Sequence, residues 1–120
     1  MAEHMPAIPE INVQELDAKL RSKDGFILLD VRESWELESA RIQDHRLLLA
    51  PMSVLGQHGT DGLPAAAQDR EAEIFVLCHH GTRSAQVAAW LSARGWKRAF
   101  SVSGGIDDYA RKVDRSVGSY

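Results

Sequence analysis

The chain has 120 residues, a length that fits one domain able to bury a hydrophobic core without disulfide staples. With 44% hydrophobic and 26% charged residues, its composition is that of an ordinary globular protein. The formal net charge of −3 argues against nucleic acid or an anionic membrane as the main partner, because both select basic surfaces.

The first half of the chain alternates apolar runs with helical patterns. Residues 1–8 are expected to form a flexible lead-in to a domain at 9–113. Ile11 opens a short strand, and Asn12 predicts a helix N-cap, with Glu15 three residues later to complete a capping box. Apolar runs at 26–31 and 46–50 are typical of strands in a parallel sheet, and a short helix is predicted between them at 33–38.

In the second half of the chain, the secondary-structure pattern is weak at first and regular afterwards. Glycines break the pattern over residues 52–72, although the alanines in 63–73 favour a helix there. The later elements are a strand at 74–77, a helix at 84–94, a strand at 100–102, a helix at 106–113 and a tail at 114–120. Strands that alternate with helices at this spacing predict an α/β domain with a mainly parallel sheet.

The only cysteine, Cys78, follows the predicted strand at 74–77 and precedes a predicted helix. Functional groups in parallel sheets lie beyond the carboxyl ends of the strands, which is where this thiol falls. Unpaired N–H groups and the dipole at a helix start favour negative charge, so the position suits a nucleophilic thiolate. The alternative is a small buried core residue. The polar, basic loop that follows favours the nucleophile.

The loop after Cys78 runs His79, His80, Gly81, Thr82, Arg83 and Ser84. Gly81 lets the backbone curl, so the loop N–H groups could surround an anionic sulfur. Arg83 either orients an anionic donor or pairs with a carboxylate that braces the loop. The two histidines either add positive potential or satisfy a backbone carbonyl. A Cys-His-His metal site is not expected, because consecutive residues cannot surround one tetrahedral ion.

Three further residues have mainly structural interpretations. Ser84 is predicted to cap the helix that follows the loop. Asp30 and Arg32, at the end of the strand at 26–31, are predicted to form an ion pair that supports the site from below, with Arg32 as a potential second cation.

Several segments together resemble the rhodanese-like domain family. They are residues 28–33 with Glu36, the loop 78–84, and the closing segments 91–96 and 102–106, so the resemblance runs from about residue 9 to 113. It implies a single-domain fold with a five-stranded, mainly parallel sheet and helices on both faces. It also implies a sulfurtransferase that holds sulfur as a Cys78 persulfide and needs no cofactor.

The implied partners are a small anionic sulfur donor such as thiosulfate and a cyanide or thiol acceptor. A sulfur-carrier module that relays persulfide sulfur between proteins is the alternative; a catalytically dead regulatory domain is disfavoured because the nucleophile is present. Phosphatases of this fold separate their cysteine and arginine by five residues. The chain has four between Cys78 and Arg83, which makes a phosphatase a distant alternative.

The expected location is a reducing cytoplasm. One cysteine cannot form an internal disulfide, and reducing conditions keep a reactive thiol in its working form. No apolar stretch approaches the roughly 18 residues of a membrane span, and no signal segment is recognised at the start of the sequence. We therefore expect neither membrane nor nucleic acid among the partners.

Overall fold

Five short parallel strands form the centre of the structure, a computed structural model that describes residues 8–120. The strands are β1 (Glu10–Ile11), β2 (Ile27–Asp30), β3 (Leu47–Leu49), β4 (Glu73–Leu77) and β5 (Arg98–Val102). They lie in the order β1-β5-β4-β2-β3, and every neighbouring pair is parallel. The predicted five-stranded parallel sheet is therefore confirmed.

Within residues 8–120, four α-helices cover the two faces of this sheet. They are α1 (Val13–Arg21), α2 (Met52–His58), α3 (Thr82–Ala93) and α4 (Gly105–Lys112). Among residues 8–120, none of these helices is long and apolar enough to cross a membrane. The capping box predicted at the start of α1 is present: Glu15 N–H donates to Asn12 Oδ1 at 2.7 Å and Asn12 N–H to Glu15 Oε1 at 2.9 Å.

Alternating side chains divide the core into two layers, as the twofold repeat of a strand requires. Along β4, Ile74 and Val76 face α2 and α3, whereas Phe75 and Leu77 face α1 and α4. Cys78 continues the first series and belongs to the core layer under α2 and α3. The apolar runs predicted as buried strands are buried because both faces are covered.

The strand order places a topological switch point between β2 and β4. The chain leaves β2 toward β3 on one side and then returns to form β4 on the other side of β2. Such a point leaves a crevice at the carboxyl ends of the two strands, where α/β proteins bind ligands. Cys78 directly follows β4, so the fold delivers the thiol to this crevice.

The prediction for residues 52–73 is wrong in part. The alanine-rich stretch is a 3₁₀ turn at Ala65–Gln68 rather than an α-helix: the chain becomes extended at Asp69, and β4 begins at Glu73. The α-helix of this region lies earlier, at α2, where Gly56 occupies a helix interior. A helical glycine costs stability but is tolerated where packing holds the helix.

The C-terminal segment is packed rather than extended away from the domain. After α4, a 3₁₀ turn at Arg115–Val117 leads to an antiparallel bridge between Gly118 and Ala40. Residues 114–120, predicted as a tail, therefore return to the segment after β2. The predicted lead-in at 1–8 lies outside the described residues except for Ile8.

Candidate functional site

Cys78 directly follows β4 and is 1% exposed. Its carbonyl oxygen accepts the N–H of Ile106 at 2.9 Å, and the next carbonyl, of His79, accepts the N–H of Asp107 at 3.0 Å. These two donors belong to the first turn of α4, whose N–H groups have no partner within the helix. The start of the loop is therefore fixed to α4 by its backbone.

The loop directs two backbone N–H groups at the sulfur. Gly81 N lies 3.1 Å and Ser84 N lies 3.3 Å from Cys78 Sγ. Gly81 has φ +102°, a conformation that favours glycine, and a Cβ at this position would lie 3.0 Å from Gly104 N. Oriented N–H groups of this kind stabilise an anion at the point where they converge. The geometry suits a sulfur that carries negative charge.

Ser84 does not cap α3 with its side chain, contrary to the prediction. The helix begins at Thr82, two residues earlier, with Gly81 at the cap position. A glycine has no side chain to bind the third N–H of the helix, which belongs to Ser84. Cys78 Sγ accepts that N–H instead. The sulfur thus occupies the place of a capping oxygen, which couples the thiol to the helix start.

A pair of fully buried hydroxyl groups adjoins the sulfur. Ser84 Oγ lies 3.4 Å from Cys78 Sγ and 2.9 Å from Ser101 Oγ. Because a hydroxyl can rotate, Ser84 Oγ can accept a hydrogen bond from the thiol S–H or donate one to the thiolate. Ser101 was not predicted as a site residue; its only signal in the sequence is a serine between the apolar Phe100 and Val102 of β5.

Arg83 faces a carboxylate, which decides between the two interpretations that its sequence position leaves open. Arg83 Nη1 and Nη2 donate to Glu36 Oε2 and Oε1 at 2.7 and 2.9 Å, a bidentate pair. The Glu36 side chain is only 5% exposed. Glu36, from the 3₁₀ turn at Ser34–Glu38, was not predicted to contact the loop. The arrangement matches a brace rather than a free guanidinium.

The Glu36 carboxylate is held in its charged form. Hydrogen bonds from Arg83 lower the pKa of Glu36 from 4.5 to about 2, against the opposing effect of burial. The backbone N–H of Glu33, at 2.8 Å, and the hydroxyl of Tyr120, at 2.9 Å, also donate to this carboxylate. The first of these contacts completes a capping box within the turn.

We expect acid to destabilise the fold through Glu36. A carboxylate whose pKa is depressed on folding adds stability above its unfolded pKa and loses that contribution as the pH falls through its folded pKa. The free energy of unfolding should therefore fall between about pH 4.5 and about pH 2, by at most about 1.4 kcal/mol per pH unit for this one group. Urea unfolding across this range measures the slope. It should be shallower in Glu36→Gln and unchanged in Glu38→Gln, an exposed neighbour; equal slopes in both variants would contradict the assignment.

Asp30 and Arg32 form a fully buried ion pair at the end of β2. Arg32 Nη2 lies 2.7 Å and its Nε 2.9 Å from the Asp30 carboxylate oxygens, and neither side chain is exposed. The guanidinium also donates to the carbonyl of Ala40 at 2.9 Å and to the hydroxyl of Tyr120 at 3.1 Å. With its donors bound inside the protein, Arg32 supports the segment around Glu36 and does not reach the crevice as a second cation.

The histidines at the start of the loop form a stack. The ring of His79 lies between those of His80 and Tyr120, with centroid distances of 3.9 and 3.7 Å. Burial lowers the pKa of His79, and the neighbouring His80 lowers it further, so this imidazole is mainly neutral near pH 7. His80 and Thr82 lie on the exposed side of the loop. Positive potential at the mouth therefore does not come from His79.

Among residues 8–120, one group of metal-ligand side chains lies near this loop. The potential ligand atoms of His79, His80 and Asp107 all lie within 4.8 Å of one another. The two imidazole rings, however, are stacked at 28°. Ring nitrogens bind metals in the plane of the ring, so these lone pairs run side by side rather than converge. The arrangement fits packing better than a metal centre.

Comparison with known proteins places this geometry in a family. The family profile "Rhodanese-like domain" matches residues 12–112. One similar curated protein is a Rhodanese-like/PpiC domain-containing protein 12, chloroplastic, from Arabidopsis thaliana, which is 35% identical over 94% of this chain and 38% of that protein. A second is a putative sulfur carrier protein, YrkF, from Bacillus subtilis, 27% identical over 94% of this chain and 57% of that protein. A third is a sulfurtransferase from Allochromatium vinosum, 27% identical over 87% of this chain and 90% of that protein. The chain thus spans less than two thirds of the length of each of the first two proteins. A crystal structure of a rhodanese-related protein from Thermoplasma volcanium, 28% identical, superposes with a TM-score of 0.68 over 88% of this chain and 93% of that one.

Proposed function

Because the chain belongs to the rhodanese-like domain family, we propose that it is a sulfurtransferase that carries sulfur as a Cys78 persulfide. The observation that carries the proposal is the pair of N–H groups, from Gly81 and Ser84, directed at Cys78 Sγ at the carboxyl end of β4. A sulfane donor such as thiosulfate supplies the sulfur, and a thiophilic acceptor, cyanide or a thiol, removes it.

The first half-reaction loads the sulfur. The Cys78 thiolate attacks the outer sulfur of thiosulfate and forms a new S–S bond. The bond between the outer and the central sulfur of the donor breaks, and sulfite leaves with its electron pair. The protein retains a Cys78 persulfide anion. Splitting one transfer into two displacements in this way is nucleophilic catalysis and gives ping-pong kinetics.

The second half-reaction discharges the persulfide. The acceptor attacks the terminal sulfur, the S–S bond to Cys78 breaks, and Cys78 leaves as the thiolate that began the cycle. Cyanide becomes thiocyanate, and a thiol becomes a persulfide. Both steps are displacements at sulfur that need no cofactor. The thiol must start reduced, which supports the prediction of a reducing, cytoplasmic compartment.

The loop geometry favours sulfur over phosphate chemistry. In a phosphatase the loop arginine must face the phosphate, whereas Arg83 is held by both oxygens of Glu36. The buried hydroxyl of Ser84 accepts from Cys78 Sγ at 3.4 Å, and it can rotate to donate once the thiol has lost its proton. These contacts support a cradle for one anionic sulfur atom.

The proposal is tested by incubating the protein with thiosulfate and measuring its intact mass. We expect a gain of one sulfur atom that a reductant reverses and that is absent in Cys78→Ser. Ser101→Ala, which alters the buried hydroxyl pair but leaves the thiol, should still take up sulfur. Absence of the adduct with thiosulfate, polysulfide and a persulfide donor alike would overturn the proposal; hydrolysis of an aryl phosphate that requires Cys78 would favour the phosphatase.

A sulfur carrier that serves a protein donor and acceptor is the second candidate. One observation of the structure favours it: the Arg83 charge that would attract a small dianion is neutralised by Glu36. A curated relative is also named a putative sulfur carrier protein. Steady-state turnover with cyanide separates the two functions. A persulfide that forms but is not discharged by small thiophiles supports the carrier, whereas rapid thiocyanate release supports the enzyme.

A further inference from the structure

Tyr120 contacts His79, the residue that opens the sulfur loop, and Glu36, the carboxylate that holds Arg83, although it lies 42 positions after Cys78 in the sequence. Its ring stacks on the imidazole of His79 at 3.7 Å with an angle of 5°. Its hydroxyl donates to Glu36 Oε1 at 2.9 Å and accepts from Arg32 Nη1 at 3.1 Å. His79 opens the loop, and Glu36 holds Arg83 near its end.

We propose that Tyr120 is a positioning residue that fixes the two ends of the sulfur loop relative to each other. The inference rests on the proposed function, because it assigns Tyr120 a role in the transfer of sulfur through Cys78. Tyr120 acts through His79 and Glu36, without contact to the sulfur.

The ring contact restrains the first residue of the loop. With Tyr120 on one side and His80 on the other, the His79 imidazole is held on both faces. The carbonyl of His79 is bound at the same time by the N–H of Asp107. A residue held through ring and backbone together cannot rotate freely, so the backbone that turns from Cys78 toward Gly81 keeps its direction.

The hydroxyl contact restrains the other end. Glu36 receives four hydrogen bonds: two from Arg83, one from the backbone of Glu33 and one from Tyr120. Without the hydroxyl, Oε1 would keep one donor while Oε2 keeps two. Hydrogen bonds to a buried charged group are among the stronger ones. Tyr120 thus helps to set where the carboxylate holds the Arg83 guanidinium.

The backbone before Tyr120 is anchored independently of its side chain. Arg41 N–H donates to the carbonyl of Val117 at 2.9 Å, and Gly118 pairs with Ala40. Gly118 has φ +98°, and a Cβ at this position would overlap Ser39 O. The backbone of the segment after Asp114 therefore packs against the residues that follow Glu36, and this contact places the Tyr120 side chain beside the loop.

Two Tyr120 variants and one matched control test the proposal. Tyr120→Phe removes the hydroxyl contacts and keeps the ring, whereas Tyr120→Leu removes both. Tyr109→Phe is the control, because Tyr109 also donates its hydroxyl to a carboxylate, Asp17 at 3.1 Å, but on the α1–α4 side of the molecule. All three lose a tyrosine hydroxyl, and only the Tyr120 variants alter the loop.

In Tyr120→Leu we expect kcat for sulfur transfer from thiosulfate to cyanide to fall about tenfold with KM nearly unchanged, because Tyr120 orients the loop without touching the donor. Tyr120→Phe should show a smaller loss, and Tyr109→Phe none. Nuclear magnetic resonance gives a second measurement, the pKa of His79, which burial and His80 lower and which a hydrogen bond with the Tyr120 backbone, Asp107 and Glu36 raise. Tyr120→Leu keeps the backbone and exposes the ring, so the pKa of His79 should rise in this variant and stay unchanged in Tyr109→Phe.

Amide hydrogen exchange separates failure of the inference from failure of the proposed function. The N–H groups of Gly81 and Ser84 should exchange faster in Tyr120→Leu than in Tyr109→Phe, whatever the sulfur chemistry. If the wild-type protein takes up no sulfur, the proposed function is overturned, but the comparison of exchange rates still tests the positioning role. Equal exchange rates and an unchanged His79 pKa in all variants would overturn the positioning role.

Discussion

Replacing Asp30 with alanine should lower the free energy of unfolding by about 3–5 kcal/mol, because it leaves a buried guanidinium without its counter-charge. Neither Asp30 nor Arg32 is exposed, and Asp30 accepts three hydrogen bonds from the Arg32 side chain. The remaining partners of Arg32, chiefly the carbonyl of Ala40 and the hydroxyl of Tyr120, are neutral. The loss would be a large part of a typical stability of roughly 5–15 kcal/mol.

The chain contains its own control for this experiment. Asp44 and Arg46 have the same spacing and the same local geometry, with Arg46 Nε and Nη2 at 2.8 and 2.9 Å from the carboxylate. This pair lies nearer the surface, and Arg46 keeps the carbonyls of residues 20, 22 and 24 as partners. Asp44→Ala should therefore cost less. Urea unfolding of both variants at neutral pH measures the difference, and equal losses would show that burial does not determine the contribution of the Asp30 pair.

The same two Asp-x-Arg segments show where local sequence is informative and where it is not. Spacing alone predicts the Asp30–Arg32 ion pair, since both residues lie at the end of one strand. Burial depends on the rest of the chain: Arg32 reaches Tyr120, which is 88 positions away. The parallel sheet and the capping box of Asn12 were predictable as well, because apolar strand runs and helix caps depend on residues that are neighbours in the sequence.

The parts of the site that sequence reasoning missed are long-range. Glu36 meets Arg83 across 47 positions and Ser101 meets Ser84 across 17, and neither contact leaves a spacing pattern. The cap assignment of Ser84 failed for a different reason. α3 begins at Thr82, so Ser84 is its third residue, and its N–H is the one that a capping side chain at position 81 would bind. Because residue 81 is glycine, Cys78 Sγ accepts this N–H. A thiol that takes this place cannot be inferred before the loop geometry is known.

Gly105→Ala should lower the free energy of unfolding by about 3 kcal/mol or more, because both space and backbone conformation at this position exclude a side chain. Gly105 has φ +61°, and a Cβ would overlap the carbonyl oxygen of His79 and lie 2.5 Å from that of Cys78. Both contacts are backbone atoms, so no side-chain rotation relieves them. The start of α4 must move away from the loop, which breaks the hydrogen bonds of Ile106 and Asp107 to these carbonyls.

Gly56→Ala gives the opposite expectation and serves as the control. Gly56 lies inside α2, has no atom within 4 Å of an added Cβ, and does not have a positive φ. Alanine there should raise the free energy of unfolding by about 0.5–1 kcal/mol, because glycine is the poorer helix residue. Urea unfolding gives the sign of both changes, and intact mass after thiosulfate treatment gives the extent of sulfur uptake. Since the start of α4 binds the carbonyls of Cys78 and His79, Gly105→Ala should lower sulfur uptake, whereas Gly56→Ala should preserve it. Stability and uptake that both survive in Gly105→Ala would mean that the close approach of α4 is not what holds Cys78 in place.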